Sequence, residues 1–158
     1  MGYQTGTAAT TAYTAGWRLR EYPPPSNESG GLQRERKMAR ILVIEDESHI
    51  RDNLLRFVRL EGHEGLAAAD GNAGLQVARE QQPELIFCDV MMPQMNGMEV
   101  LAALQAEPAL RQVPFVFLSA SAESERLEEA LRLGASGYVT KPFNFAQLQA
   151  VLKQYLPK

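Results

Sequence analysis

Leu85-Ile86-Phe87-Cys88-Asp89 decides the reading of this chain: an apolar run from Leu85 to Cys88 passes directly into an acid. A run without polar alternation suits a strand buried on both faces, as in the middle of a parallel sheet. Ile41-Leu42-Val43-Ile44 repeats the pattern and also ends in acids, Glu45-Asp46-Glu47. Working outward, further strands are predicted at Leu66 to Ala69, Val113 to Leu118 and Tyr138 to Val139. Between the strands, Ile50, Leu54, Phe57 and Val58 recur at helical spacing, as do Leu127, Ala130 and Leu131, and later Phe145, Leu148, Leu152 and Tyr155. Ala73 to Gln81 is also predicted helical. Gly62, Pro83 and Gly134 stand where helices should end, and Asn144 is placed to cap the last one. Five βα units follow, which predicts an α/β protein with a parallel sheet covered on both faces.

A chain of 158 residues with 45% hydrophobic content can bury one genuine core. Its formal net charge of −3 supplies no broad basic field for nucleic-acid phosphates, so direct DNA binding is not expected. Cys88 is the sole cysteine, which rules out an intramolecular disulfide framework or a cysteine-rich zinc site. No stretch approaches the roughly 20 apolar residues of a membrane span, and no apolar secretory run opens the chain. A cytoplasmic protein is the expectation.

Residues 1 to 37 differ in composition from the rest. Thr, Ala and Gly lead to Pro23-Pro24-Pro25, then to Ser26 through Gly31, then to the charged run Gln33 to Lys37. Such a segment buries too little apolar surface to offset its ordering entropy. It is expected to be a disordered or low-complexity extension, with Arg34, Arg36 and Lys37 as a solvated linker rather than a basic docking arm. The folded domain is expected over residues 38–158.

In an open parallel sheet, ligands bind beyond the carboxyl ends of the strands. Acids stand at two such ends, Glu45-Asp46-Glu47 and Asp89. Adjacent strands lie about 4.8 Å apart, so these carboxylates can share a magnesium ion, which prefers oxygen ligands. Asp89 can also serve as a nucleophile toward phosphorus, forming an acyl phosphate. Two further strand ends offer Ser119, and Thr140 with Lys141-Pro142. A hydroxyl can donate to a phosphoryl oxygen, and an ammonium is a compact counter-charge. Each residue alone has a plainer reading as helix-end charge, cap or surface. Their coincidence at four strand ends favours the phosphoryl site. Cys88 reads as a small core residue, and His49 and His63 lack metal-ligand spacing.

These residues resemble the response-regulator receiver family over about Ala39 to Tyr155. The segments that carry the resemblance are Ile41 to Glu47, Cys88 to Pro93 with Asn96-Gly97, Phe117-Leu118-Ser119-Ala120, and Gly134 to Phe143. The resemblance implies a three-layer, doubly wound (βα)5 flavodoxin-like fold with strand order 2-1-3-4-5. It implies Asp89 as phosphoacceptor, with Glu45, Asp46, Asp89 and the Met91 carbonyl around magnesium, Asp46 being the direct ligand of the acidic pair. Ser119, the Ala120 amide and Lys141 would contact the phosphoryl group. Ser119 and Tyr138 would form the switch, and the Lys141-Pro142 peptide would be cis. Glu45 and Ser119 occupy positions often held by aspartate and threonine in that family. Met91 and Ser121 stand where the family tunes phosphate lifetime.

The expected function is a stand-alone phospho-signalling receiver, not a classical enzyme. It would take its phosphoryl group from a histidine kinase or histidine phosphotransfer protein. It would signal to a downstream protein through the face of the fourth helix, fifth strand and fifth helix. Alternatives are a phosphorylation-independent interaction module of the same fold, or a fragment of a transcription factor or hybrid kinase. A flavodoxin-like nucleotide or flavin binder would need a glycine-rich loop after strand one, and acids occupy that place.

Overall fold

The computed structural model describes residues 38–120 and 124–156, with side chains characterised over 38–120 and 127–156. The expected extension at residues 1 to 37 and the lifetime position Ser121 lie outside the described residues. Strands and helices alternate as β1 (Arg40–Ile44), α1 (Ser48–Leu60), β2 (Glu64–Ala68), α2 (Gly71–Gln81), β3 (Leu85–Asp89), α3 (Gly97–Gln105), β4 (Phe115–Ser119), α4 (Ser124–Arg132), β5 (Gly137–Thr140) and α5 (Phe145–Tyr155).

The strands form one parallel sheet in the order β2-β1-β3-β4-β5, the order expected. Alternation along each strand divides its side chains between two cores. Leu42 and Ile44 join Leu75, Val100, Leu104 and Leu127 on the face covered by α2, α3 and α4. Ile41 and Val43 join Leu54, Phe57, Leu148 and Leu152 beneath α1 and α5. The central strands β3 and β4 are buried along their whole length, which is why they read as unbroken apolar runs.

Edge strands and helix ends depart from the sequence reading. β2 covers Glu64–Ala68 rather than Leu66 to Ala69, because pairing with β1 runs from Arg40 opposite Glu64 to Ile44 opposite Ala68. Glu64 is exposed and Gly65 has no side chain, so the first two residues of this edge strand give no apolar signal. β4 starts at Phe115 instead of Val113: the Val113 N–H is committed to Leu110 O at 3.1 Å in a turn, and Pro114 has no N–H. α2 starts at Gly71, two residues earlier than Ala73, because the Asp70 carboxylate accepts from Ala73 N at 2.8 Å. It ends at Gln81, as expected, and is capped by Gln82 in the left-handed region (φ 51°), one residue before Pro83. Gly62 and Gly134 do adopt positive φ after α1 and α4.

Leu131 is 41% exposed, so the buried line of α4 holds Leu127 and Ala130 without it. Asn144 caps α5, accepting from Gln147 N at 2.9 Å while Gln147 Oε1 accepts from Asn144 N at 2.9 Å. Asn96 and Glu99 make the same reciprocal cap on α3. That helix has too many apolar residues around its circumference, from Met98 to Leu104, to show a single stripe.

Candidate functional site

Parallel strands place their carboxyl ends on one edge of the sheet, and four of them deliver polar groups there. Glu45 and Asp46 follow β1, Asp89 ends β3, Ser119 ends β4, and Lys141 follows β5. Glu45 continues the ladder past β1, its N–H donating to Ala68 O at 3.1 Å. Past β5, the Lys141 N–H donates to Ser119 O at 2.7 Å, fixing the start of the segment that carries the ammonium. The Lys141-Pro142 peptide is cis. On the other side of Asp89, the Val90 N–H donates to Leu118 O at 3.1 Å, and the Gly97 N–H donates to Val90 O at 2.8 Å.

Gly97 must approach closely. A Cβ there would lie 2.3 Å from Asp89 O and 2.8 Å from Phe117 Cε1. The residue therefore lets the start of α3 rest directly on the backbone of Asp89.

One carboxylate oxygen from each of Glu45, Asp46 and Asp89 lies within 4.8 Å of the others. Glu45 is fully buried and Asp89 nearly so, whereas Asp46 is exposed. Lys141 Nζ sits 3.4 Å from Glu45 Oε1 and 3.3 Å from Asp89 Oδ1. The 3.4 Å approach at Glu45 Oε1 is an ion pair only, since that atom has no partner of hydrogen-bond geometry among the described residues. Glu45 Oε2 accepts from Glu47 N at 3.1 Å.

Burial pushes the Glu45 carboxyl up to about 7, reinforced by the Asp89 charge and opposed by the Glu47 N–H and by Lys141. Burial also raises Asp89, against the pull of Lys141. For Lys141, burial works downward, but the carboxylates of Asp89 and Glu45 together hold it above the ordinary lysine value.

Three carboxylates against one ammonium leave the cluster with surplus negative charge once the acids ionise. A set of hard oxygen donors with surplus negative charge suits a divalent cation such as magnesium. Ser119 Oγ is buried without a hydrogen-bond partner among the described residues, an arrangement that stores an unmet donor beside the acids.

Met91 lies two residues past Asp89 with an exposed side chain, and Ala120 is exposed immediately after Ser119. Tyr138 stands on β5 opposite Phe117 and is 47% exposed. Cys88 is buried in the core and its thiol is pushed well up by burial, in keeping with a core role. His63 Nδ1 accepts from Ala39 N at 3.0 Å and His49 is exposed. Arg51 escaped the sequence reading, although its Nη1 donates to Glu45 O at 2.8 Å. No motif marks it, and helical spacing alone places it on a partly exposed face.

Fold and site define a doubly wound α/β protein that gathers carboxylates, a hydroxyl and a lysine at the carboxyl edge of its sheet. The chain belongs to the response regulator receiver domain family, whose model matches residues 41–153. That family is a phosphoacceptor signalling module and not a classical enzyme.

Among curated relatives, the phosphate regulon transcriptional regulatory protein PhoB of Klebsiella pneumoniae is 34% identical over 122 residues, covering 75% of this chain and 53% of PhoB. The transcriptional regulatory protein PrrA of Mycobacterium tuberculosis is 38% identical over 117 residues, covering 74% of this chain and 49% of PrrA. The chain thus spans about half the length of these relatives. Among solved structures, the chemotaxis protein CheY4 of Vibrio cholerae superposes with a TM-score of 0.72 at 31% identity, covering 76% of this chain and all of CheY4. No helix among the described residues is long and apolar enough to cross a membrane.

Proposed function

We propose that this chain takes a phosphoryl group onto Asp89, in a magnesium-dependent reaction, from a histidine kinase or histidine phosphotransfer protein, and signals in the cytoplasm by altered binding to another protein. The observation that carries this reading is the convergence of Glu45, Asp46 and Asp89 within 4.8 Å, with Lys141 Nζ against the two buried acids.

An Asp89 carboxylate oxygen attacks phosphorus. A new O–P bond forms as the bond to the donor breaks, and the donor leaves with that electron pair. Lys141 turns its ammonium to the oxygens of the incoming group, and the Ser119 hydroxyl and Ala120 amide donate to them. Glu45, Asp46, Asp89 and the Met91 carbonyl would hold magnesium, with Asp46, the exposed acid, as direct ligand of the acidic pair. Bound there, the ion would neutralise charge on the phosphoryl oxygens.

Ser119 is buried and its hydroxyl is unmet among the described residues, so a new acceptor beside it offers differential stabilisation of one of two conformations. Ser119 moving toward the phosphoryl group lets Tyr138 follow. The change then appears on the face of α4, β5 and α5, where the downstream protein would dock. The net charge of −3 supports a protein partner over direct nucleic-acid contact.

A second reading places the same receiver within a larger regulator, and one observation favours it: the curated relatives PhoB and PrrA are about twice as long as their matched portions. Acetyl phosphate labelling with and without magnesium, followed by intact-mass and peptide analysis, tests the chemistry. Labelling on Asp89 only when magnesium is present is the expected result; no labelling would turn the reading toward a phosphorylation-independent module.

A further inference from the structure

We propose that Arg51 is a positioning residue for the acidic turn, holding the Glu45 carbonyl and thereby the carboxylates of Glu45 and Asp46. The inference rests on the magnesium site of the proposed function.

The Arg51 side chain reaches back to the turn between β1 and α1, its Nη1 donating to Glu45 O at 2.8 Å, while its backbone N–H makes the first helical bond of α1, to Glu47 O at 3.0 Å. The Glu45 carbonyl belongs to the planar peptide that leads into Asp46. Restraining that carbonyl therefore fixes the plane from which Asp46 departs. Glu45 is held at its other polar groups as well, its N–H donating to Ala68 O at 3.1 Å and its Oε2 accepting from Glu47 N at 3.1 Å. The guanidinium supplies the remaining restraint.

The place of this arginine supports a role beyond helix formation. The amino end of a helix carries partial positive charge, so a cation near it is unfavourable for the helix alone. α1 has no acid in its first turn, and its N-cap residue Glu47 makes no side-chain cap bond. Arg51 stands near that end, half-buried, with its fork turned back to the strand instead of out to water.

Two effects of Arg51→Ala oppose each other, and the sign of the outcome separates them. Removing a cation beside the acids strengthens their attraction for magnesium. Releasing the turn weakens binding, by about tenfold where a residue orients a ligand without touching the ion.

The test is calorimetric titration of magnesium into the full chain, wild type and Arg51→Ala. Backbone amide spectra of both metal-free proteins and thermal unfolding accompany it. Weaker binding, with shifted Asp46 and Glu47 amides in a folded protein, is the expected result. Binding as tight as wild type or tighter overturns the inference, since charge alone would then account for Arg51. Should Arg51→Ala fail to fold, Arg51→Met keeps the apolar stem and removes both the donor and the charge, and the same sign rule applies. A wild type that binds no magnesium would end the function on which the inference rests, whereas a binding wild type beside an equally binding variant ends the inference alone.

Discussion

Lys141 Nζ lies 3.3 Å from Asp89 Oδ1 although 52 residues separate them in sequence. The pair closes the acid cluster from the β5 side, and its two members have different tasks in the proposed reaction. Asp89 supplies the atom that becomes bonded to phosphorus; Lys141 supplies charge to oxygens of the group being transferred.

Asp89→Asn should abolish magnesium-dependent labelling by acetyl phosphate, because a carboxamide is a poor nucleophile and the cluster loses a charged donor. Intact-mass spectrometry reads this directly. Undiminished labelling at another residue would overturn the assignment of Asp89.

Lys141→Ala should still label, more slowly, but should not produce the response of the α4, β5 and α5 face. Mass and amide spectra from the same samples separate acceptance from response. A full spectral response in this variant removes Lys141 from the switch.

Ser119→Ala should leave the fold as stable or raise its stability by about 1 kcal/mol, because a buried hydroxyl that finds no partner among the described residues carries an unrepaid desolvation cost. The same change should slow phosphoryl acceptance and blunt the movement of Tyr138. Denaturant unfolding checks the first half and labelling kinetics the second. Marked destabilisation would mean that the hydroxyl has a partner in solution.

Gly97→Ala should cost about 1–3 kcal/mol, the usual range for overpacking. The added Cβ would meet Asp89 O at 2.3 Å, and backbone cannot yield as a flexible side chain can. Labelling should fall further than stability alone explains, since the displaced atom belongs to the proposed phosphoacceptor. Wild-type labelling rates in a folded Gly97→Ala protein would show that the end of β3 tolerates the shift.

The central strands were legible because burial on both faces leaves only apolar residues to choose from, as in Leu85-Ile86-Phe87-Cys88. The start of β2 is not legible because Glu64 is exposed and Gly65 has no side chain, so neither carries an apolar sign of pairing. The end of α2 at Gln81 is legible from Pro83, whereas its start at Gly71 is set by the Asp70 carboxylate accepting from Ala73 N and precedes the first apolar residue of the helix. The residue types of the site were readable from their places after strands. Their environments were not, for adjacent acids Glu45 and Asp46 look alike in sequence yet one is buried and the other exposed. Arg51 was invisible for a related reason, since its bond to Glu45 O depends on how the turn folds back and not on any spacing of residue types.

The order in which the chain supplies these groups has a consequence for synthesis. Every carboxylate of the cluster leaves the ribosome before Lys141 does, and Lys141 finds its place only when β5 has paired with β4. An incomplete chain would hold the acids without their counter-charge and without the hydrogen bond from Lys141 N to Ser119 O. On the proposed function, a chain that has not passed β5 lacks both the ammonium and the β4–β5 contact through which it responds, so phosphate taken up before then carries no signal.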